Sequence, residues 1–233
     1  MAPVQNLLRL PQGVSLEEAA VCERAAVALE ALSRAGGYSF GETVAVFGAG
    51  PVGLLVAQWG RAMGASTIWV VDVVSAKLSI ARQLGFEHLV NAREQNPVEA
   101  IENLTRGLGV DICVDAAGVP ATTLQCLHGA GRGERVVLLG NPPAEVLLPA
   151  DLISRIMRRE LRICDTWNSD YSALGENDDW HSSLAGMLLG TIRVKPLISH
   201  TVRLDRAFEV LRMMRDSREL YCKVLIYPES GGK

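Results

Sequence analysis

Three glycines and one aspartate have the spacing that binds a phosphate-bearing nucleotide. Gly48, Gly50 and Gly53 separate a short apolar run from a longer one, and Asp72 stands nineteen residues beyond Gly53. In this spacing the first glycine allows a tight turn, the second lets the backbone approach a pyrophosphate, and the third lets a helix lie close to a sheet. Pro51-Val52 opens that helix, whose free N–H groups face the phosphates. These residues predict a dinucleotide-binding site.

Asp72 also indicates which dinucleotide is bound. A carboxylate at the end of the second strand accepts hydrogen bonds from the adenosine ribose hydroxyls and repels a 2′-phosphate. Val73 offers no cation for such a phosphate, and Lys77, the nearest cation, either pairs with Asp72 or reaches the ribose. The sequence favours NAD over NADP. The alternative interpretation is an ordinary tight turn between a strand and a helix, with no ligand.

The elements that would position these residues alternate between strands and helices. Such alternation predicts an α/β fold, a doubly wound parallel sheet covered by helices on both faces. We expect strands at 44–48, 67–72, 88–91, 110–114, 135–139 and 161–165, and helices at 51–63, 75–84, 97–105, 120–127, 152–158 and 180–189. Ser75 is the predicted N-cap of the second of these helices.

Ligands of such sheets bind beyond the carboxyl ends of the strands. This rule groups the glycine turn and Asp72 with three further strand ends. The additional candidate cofactor-binding residues are Ala116, Ala117, Gly118, Leu139, Gly140, Asn141, Thr166 and Trp167. Simple strand termination is the alternative explanation for these residues. Trp167 either borders the nicotinamide pocket or has a core or interface role.

The two ends of the chain contain further elements. An extended lead at 7–10 precedes a helix predicted over 16–34, with Ser15 as its N-cap. A strand at 198–202, a helix at 205–215 and a last strand at 223–227 follow the sheet region. We expect the last strand and the lead to need a neighbouring strand that the sequence does not reveal.

Composition limits the possible partners and compartment. The net charge is −3 with scattered basic residues, which does not suggest nucleic acid or an anionic membrane surface. The sequence contains no apolar run of membrane-spanning length and no signal-peptide pattern at its start. The five cysteines are widely spaced, as in reduced cytosolic proteins. We therefore predict a cytoplasmic protein that uses neither nucleic acid nor membrane as a partner.

Few other residues suggest chemistry. His200 and Tyr171 are candidate acid–base residues, although a lone histidine on a strand is more often structural. The acidic run 176–179 is expected to be a solvated loop. The four histidines and five cysteines have no spacing that would form a zinc site, so we predict no metal ligand in this sequence.

Several stretches together resemble one enzyme family. They are GVSLEEAA, GAGPVGLLVAQWGRAMGA, VVDVVSAKLSIARQLG, DICVDAAG and the tail RVKPLISHTVRLDRAFEVL with CKVLIYP. The chain resembles the cofactor domain and C-terminal segment of the medium-chain, zinc-dependent alcohol and polyol dehydrogenases. Within that family it is most similar to the sorbitol and galactitol-1-phosphate dehydrogenase branch. The resemblance covers nearly all 233 residues.

The resemblance implies a division of the chain and of its chemistry. Residues 1–35 would be a lead strand and linker helix from the catalytic-domain side, residues 36–190 the NAD-binding Rossmann domain, and residues 191–233 a segment returning toward the catalytic domain. Members of the family carry their catalytic zinc in an N-terminal domain whose motifs are not found in this sequence. Zinc is therefore expected only in a complete family member.

Two acidic residues depart from the family pattern. Glu23 is a weak catalytic candidate, since the resemblance places it beside the zinc or its water, but Arg24 follows it where the related branch has proline. We expect Arg24 to pair with Glu23 and hold it away from a metal. Glu30 stands where relatives often have a histidine close to the cofactor phosphates.

The resemblance implies hydride transfer between a secondary alcohol of a polyol or polyol phosphate and NAD. The chain alone is expected to be inactive, and relatives commonly pair through the last strands of the cofactor sheet. One alternative is a non-catalytic NAD-binding module or subunit. Another is a zinc-independent quinone or enoyl reductase, a class that mostly uses NADPH, which Asp72 disfavours.

Overall fold

Six parallel strands form the centre of the molecule. The computed structural model describes residues 3–4, 7–172 and 177–228. The sheet has the strand order β3-β2-β1-β4-β5-β6, and every neighbouring pair is parallel. Its strands are β1 (Thr43–Phe47), β2 (Thr67–Asp72), β3 (His88–Asn91), β4 (Val110–Asp115), β5 (Ala130–Leu138) and β6 (Arg162–Asp165). This order confirms the predicted doubly wound α/β fold and puts its switch point between β1 and β4.

Helices connect the strands and cover both faces of the sheet. They are α1 (Leu16–Ala19), α2 (Cys22–Arg34), α3 (Pro51–Ala62), α4 (Ser75–Gln83), α5 (Pro97–Leu104), α6 (Pro120–Gly129), α7 (Ala150–Arg159), α8 (Asp179–Leu188) and α9 (Ala207–Arg215). The central strand β1 divides its side chains between two apolar clusters. Val44 and Val46 pack on one face with α2 and α3, and Ala45 and Phe47 pack on the other with α5 and α6. Successive side chains of a strand point to opposite faces, so β1 is buried on both.

The predicted single helix over 16–34 is wrong, because the chain bends between α1 and α2. Ser15 and Glu18 form a capping box that begins α1, and the N–H of Ala20 donates back to Leu16 and Glu18 at its end. Val21, which is fully buried, then begins the second helix. At the break the N–H of Val21 donates to the carbonyl of Glu18, three residues back, at 3.0 Å, so the hydrogen-bond ladder of a continuous α-helix is interrupted there.

Two further expectations about local structure are wrong. Val74 is the N-cap of α4, and Ser75 is its first helical residue. The Ser75 hydroxyl instead accepts a hydrogen bond from Asn91 Nδ2 at 2.9 Å. Residues 7–10 form no strand, and Leu8 and Leu10 pack partly buried against the core.

The last strand has its neighbour within the chain, contrary to the sequence-based expectation. Strand β7 (Ile198–Arg203) pairs in parallel with β8 (Lys223–Tyr227) in a two-stranded sheet separate from the main one. The sequence suggested no pairing because α9 intervenes between the two strands. In the part of the chain that the structure describes, no helix is long and apolar enough to cross a membrane.

Candidate dinucleotide-binding site

The glycine turn connects β1 to α3 at the switch point of the sheet. Gly48 has a φ of +112°, and a Cβ there would lie 2.8 Å from the backbone nitrogen of Ala117. A Cβ on Gly53 would overlap the carbonyl oxygen of Gly48. A Cβ on Gly50, in contrast, would meet nothing within 4 Å. The first and third glycines are therefore required by packing, and the second leaves open space where a pyrophosphate would approach.

The start of α3 is free to receive an anion. Gly50 is its N-cap and Pro51 its first residue, and among the described residues no side chain caps this helix end. The first N–H groups of a helix have no partner within the helix and carry a partial positive charge. The open space over Gly50 and these N–H groups fit the phosphates of a dinucleotide.

Asp72 is joined to the glycine turn. Its Oδ2 accepts a hydrogen bond from the backbone N–H of Ala49, and its Oδ1 accepts one from the N–H of Val74, each at 2.8 Å. Each carboxylate oxygen has a second lone pair for a further donor. Within the described structure Lys77 forms no ion pair with Asp72, which leaves the other expectation for Lys77, contact with the ribose, as a prediction.

The turn after β4 packs directly against the glycine turn and against the turn after β5. The N–H of Ala116 donates to the carbonyl of Phe47 at 2.8 Å. Gly118 has a φ of +65°, and a Cβ there would lie 2.5 Å from the carbonyl carbon of Gly140. Because backbone lies against backbone, neither glycine can carry a side chain. The structure thus brings Ala116–Gly118 and Leu139–Asn141 together as the sequence predicted.

Asp115 holds this turn, and sequence reasoning did not select it as a site residue. Its buried carboxylate accepts hydrogen bonds from the N–H of Gly118 at 2.9 Å and from the hydroxyls of Thr122 and Thr123, each at 2.7 Å. The sequence signal that could have identified Asp115 is an aspartate at the end of an apolar strand, followed within eight residues by two threonines. Asp115 positions the turn and the start of α6.

The outer strand ends have different exposures. The N–H of Thr166, at the end of β6, donates to Leu138 at 3.3 Å, and its hydroxyl donates to the carbonyl of Asn168 at 3.0 Å. Trp167 is 81% exposed, so the core interpretation of this residue is wrong. Val73 and Asn141 are also exposed. These three side chains face solvent at the predicted cofactor edge.

Other candidate residues are engaged elsewhere. Glu23 pairs with Arg24 at 3.1 Å, which confirms the expected pairing, and Glu30 pairs with Arg34 at 2.9 Å. His200 Nδ1 lies 2.9 Å from the hydroxyl of Ser199. Tyr171 packs edge-on against the ring of Trp180, with ring centres 6.2 Å apart.

The expectation of a solvated acidic loop at 176–179 is wrong for its aspartates, while residue 176 lies outside the described residues. Asp178 caps α8 and Asp179 begins it, and they are only 4% and 7% exposed. Burial raises the pKa of Asp179 to about 6, and the neighbouring Glu30 carboxylate adds to the rise. The packing of α8 on α2 buries these residues, which sequence pattern alone does not reveal.

A zinc ion does not fit the donors of the described residues. Among them no group of three or more His, Cys, Asp or Glu side chains is placed to hold a metal ion. All five cysteines are free, and burial raises the pKa of the Cys22 thiol to about 12. A catalytic zinc ion needs three protein ligands around one point, and the described residues do not bring three such donors together.

The strand order, the glycine turn at the switch point and the acid at the end of β2 define a Rossmann-type fold. The family described as zinc-binding dehydrogenase matches residues 51–185, more than half of the chain. The chain belongs to this family, as its resemblance to the medium-chain dehydrogenases implied.

Individual relatives agree with this assignment. The chain is 28% identical over 219 residues to sorbitol dehydrogenase of Bacillus subtilis (strain 168), covering 94% of this chain and 59% of the relative. It superimposes on galactitol-1-phosphate dehydrogenase from Escherichia coli with a TM-score of 0.86 and 26% identity, covering 96% of this chain and 64% of that one. A candidate zinc-binding dehydrogenase from Sinorhizobium meliloti 1021, bound to NADP, gives 0.80 and 27%, covering 95% and 62%. The chain thus spans about six-tenths of the length of these relatives.

Proposed function

We propose that this chain is the NAD-binding part of a zinc-dependent medium-chain dehydrogenase. The complete enzyme would oxidise a secondary alcohol of a polyol or polyol phosphate. When bound, NAD supplies a nicotinamide ring that accepts a hydride from the carbon bearing the alcohol. The relatives named sorbitol dehydrogenase and galactitol-1-phosphate dehydrogenase support the substrate class.

The observation that carries the proposal is the position of Asp72 beside the glycine turn. Its carboxylate contacts the Ala49 N–H, next to the open space over Gly50. A ribose whose phosphates lie on the start of α3 would present its hydroxyls to the free lone pairs of Asp72. A 2′-phosphate at the same place would meet a negative charge. This argument favours NAD, even though the Sinorhizobium relative is bound to NADP.

The remaining site residues would enclose the rest of the dinucleotide. Gly48, Gly53 and the turns at 116–118 and 139–141 would form the floor of the site. Val73, Thr166 and Trp167 would lie at its rim. We expect no turnover from this chain alone, since its described residues do not fit a zinc ion. A cytoplasmic location belongs to the same proposal, because five free thiols persist in a reducing compartment.

A titration of the purified chain tests this function. We expect NADH fluorescence to change on binding, with NADH bound at least about tenfold more tightly than NADPH, because a repelled phosphate costs at least about 1.4 kcal/mol. A preference for NADPH would contradict the assignment and favour a reductase of the quinone or enoyl type. Zinc-dependent oxidation of sorbitol by the chain alone would contradict the expected inactivity.

A second candidate function is a non-catalytic NAD-binding module. The specific observation in its favour is that Arg24 engages Glu23, the residue that the resemblance places beside the metal. The pairing of β7 with β8 adds to this, since the last strand has a partner within the chain. Light scattering of the purified chain tests this candidate, because a module is expected to be a stable, monodisperse species that binds NADH, and aggregation of the chain would count against it.

We also propose that the chain forms a homo-oligomer through β6. This strand is the edge of the main sheet, and its Ile163 side chain is 48% exposed. An open edge with an exposed apolar residue favours pairing with a second copy. Replacing Ile163→Lys is expected to lower the mass measured by light scattering, whereas an unchanged mass would exclude this edge.

A further inference from the structure

A cavity of about 630 Å³ lies at the edge of the main sheet opposite to the proposed cofactor site. Its lining includes the first residues of the four strands β1 to β4, which are Thr43, Thr67, His88 and Val110. The turns of the proposed cofactor site, in contrast, follow the last residues of these strands. Because all the strands are parallel, the length of the strands separates the two sites. The cavity is therefore not a part of the dinucleotide site.

The indole of Trp69 forms part of the cavity wall. Trp69 is only 4% exposed, and its ring packs against His88 with ring centres 5.7 Å apart. Among the described residues its Nε1–H has no acceptor, whereas the indoles of Trp59 and Trp180 each donate to an oxygen of the chain. A buried donor without an acceptor is costly, and native structures rarely leave one. A ligand in the cavity that carries a hydrogen-bond acceptor would satisfy this indole.

Two carboxylates give the cavity a negative charge. Asp111 Oδ2 accepts hydrogen bonds from the N–H and the hydroxyl of Thr43, at 2.7 and 2.6 Å, and within the described structure Oδ1 accepts none. Burial raises the pKa of Glu134, and the nearby Asp111 carboxylate adds to the rise. Arg135 lies 4.0 Å from Glu134 but contacts Glu42 more closely. A positive charge beside both carboxylates would offset their mutual repulsion.

The rest of the lining adds apolar surface. Leu104 and Leu108 line the cavity, and both of these large apolar side chains are exposed. Leu104 is also the last residue of α5, and the end of a helix carries a partial negative charge. The charge of Arg132, which lines the cavity too, is countered by Glu160 at 3.5 Å. The cavity therefore suits a ligand that has an apolar body and a positive charge.

We propose that this cavity binds a small organic amine whose apolar body carries a hydroxyl group. The ammonium group would lie at the carboxylates of Asp111 and Glu134. The body would pack against Leu104 and Leu108, and the hydroxyl oxygen would accept the hydrogen bond of Trp69 Nε1. The site is independent of NAD binding and goes beyond the proposed function.

Three probes of similar size separate the features of this ligand. Tyramine has the amine and the hydroxyl, phenethylamine lacks the hydroxyl, and hydroxyphenylpropionate has a carboxylate in place of the amine. We expect the full chain to bind tyramine at least about tenfold more tightly than the carboxylate, which the two acids repel. In NMR spectra tyramine should shift the indole N–H signal of Trp69, which the variant Trp69→Phe identifies. No shift of this signal at millimolar tyramine, or equal binding of the carboxylate, would overturn the proposal.

Two glutamates provide matched variants. Glu134 lines the cavity, whereas Glu160 pairs with Arg132 outside it. Calorimetry is expected to show about tenfold weaker tyramine binding for Glu134→Gln, as loss of a charge-assisted hydrogen bond implies, and unchanged binding for Glu160→Gln. Trp69→Phe should bind tyramine and phenethylamine equally, since the donor that distinguishes them is removed. Equal tyramine binding by the two glutamate variants would overturn the proposal.

Two further measurements control the comparison. Circular dichroism of each variant checks its folding, and the probe comparison on the original chain needs no variant. NADH affinity should be the same in the original chain and in Glu134→Gln, because the two sites lie at opposite edges of the sheet. A chain that binds tyramine but not NADH would contradict the proposed function and leave this inference standing.

Discussion

The carboxylate of Asp72 and the backbone N–H of Ala49 lie 2.8 Å apart, so the acid at the end of β2 is hydrogen-bonded to the glycine turn after β1. The second oxygen of Asp72 accepts from Val74 at the start of α4. One side chain thus fixes the positions of two turns between which a ribose and its phosphates would bind.

Replacing Asp72→Ser is expected to weaken NADH binding by about tenfold or more, because hydrogen bonds to the ribose are lost. The NADPH-to-NADH affinity ratio should rise, since the charge that repels a 2′-phosphate is removed. Fluorescence titration with both nucleotides measures the two effects. Asp165→Ser, at the exposed end of β6, is the matched control and should change neither affinity. An unaltered ratio in Asp72→Ser would remove Asp72 from nucleotide discrimination.

Alanine substitutions at two glycines of the same turn are expected to affect different properties, stability for Gly53 and NADH affinity for Gly50. Gly53→Ala would place a methyl group against the Gly48 carbonyl and should cost about 2 to 4 kcal/mol of stability, a fall of roughly 10 °C in Tm. Gly50→Ala has open space and a φ of −75°, so its stability should fall by less than about 1 kcal/mol. Its NADH affinity should instead fall about tenfold, as the methyl group meets the pyrophosphate. Calorimetric melting and NADH titration of both variants provide the measurements. Equal losses of Tm in the two would contradict this division of roles.

Asp115→Ala is expected to lower the free energy of unfolding by about 1 to 3 kcal/mol, because the Gly118 N–H and two threonine hydroxyls lose their acceptor in a buried place. Asp115→Asn should keep most of the stability, since an amide still accepts from Gly118 and can donate to Thr123. Urea unfolding followed by circular dichroism compares the variants. If alanine and asparagine cost the same, the geometry of these hydrogen bonds is not what stabilises the turn.

The stability of the chain should depend on pH through Asp179. Its folded-state pKa of about 6 lies above the ordinary value of 3.8, so the folded protein holds this proton more tightly than the unfolded chain. The contribution is fully present below about pH 4 and is lost as pH rises through 6. Relative to Asp179→Asn, the original chain should lose on the order of 2 kcal/mol between pH 4 and 7. Urea unfolding at several pH values measures this difference, and the exposed Asp205→Asn should leave the pH profile unchanged. A constant difference between the original chain and Asp179→Asn would show that Asp179 does not titrate in this range.

The sequence-based predictions were most accurate where local signals, such as apolar runs and glycines, agree with the geometry of a parallel sheet. The boundaries of β1, α3 and β2 were predicted to within about a residue, because apolar runs, glycines and Pro51 act as local signals. The set of strand ends was predicted because parallel strands align their carboxyl ends. Whether those residues bind NAD is still a prediction that the titrations above test.

The errors arose where packing between distant elements decides the outcome. The predicted first helix is interrupted at Val21, which is buried in the core, and Asp179 is buried where α8 packs on α2. The partner of β8 was missed because β7 and β8 pair across a helix, and a pairing register is not encoded in either strand alone. Asp115 was passed over because its three donors lie in the following turn and helix.

The contact between Gly118 and Gly140 limits how this site can be altered by evolution or by design. The backbones at Gly118 and Gly140 pack so closely that neither position accepts a side chain. Changes of ligand specificity must therefore be made at other positions. Val73, Asn141 and Trp167 project into solvent around that fixed point and can vary without disturbing it. A combinatorial library confined to those three positions would therefore sample new ligand preferences on a scaffold that stays constant.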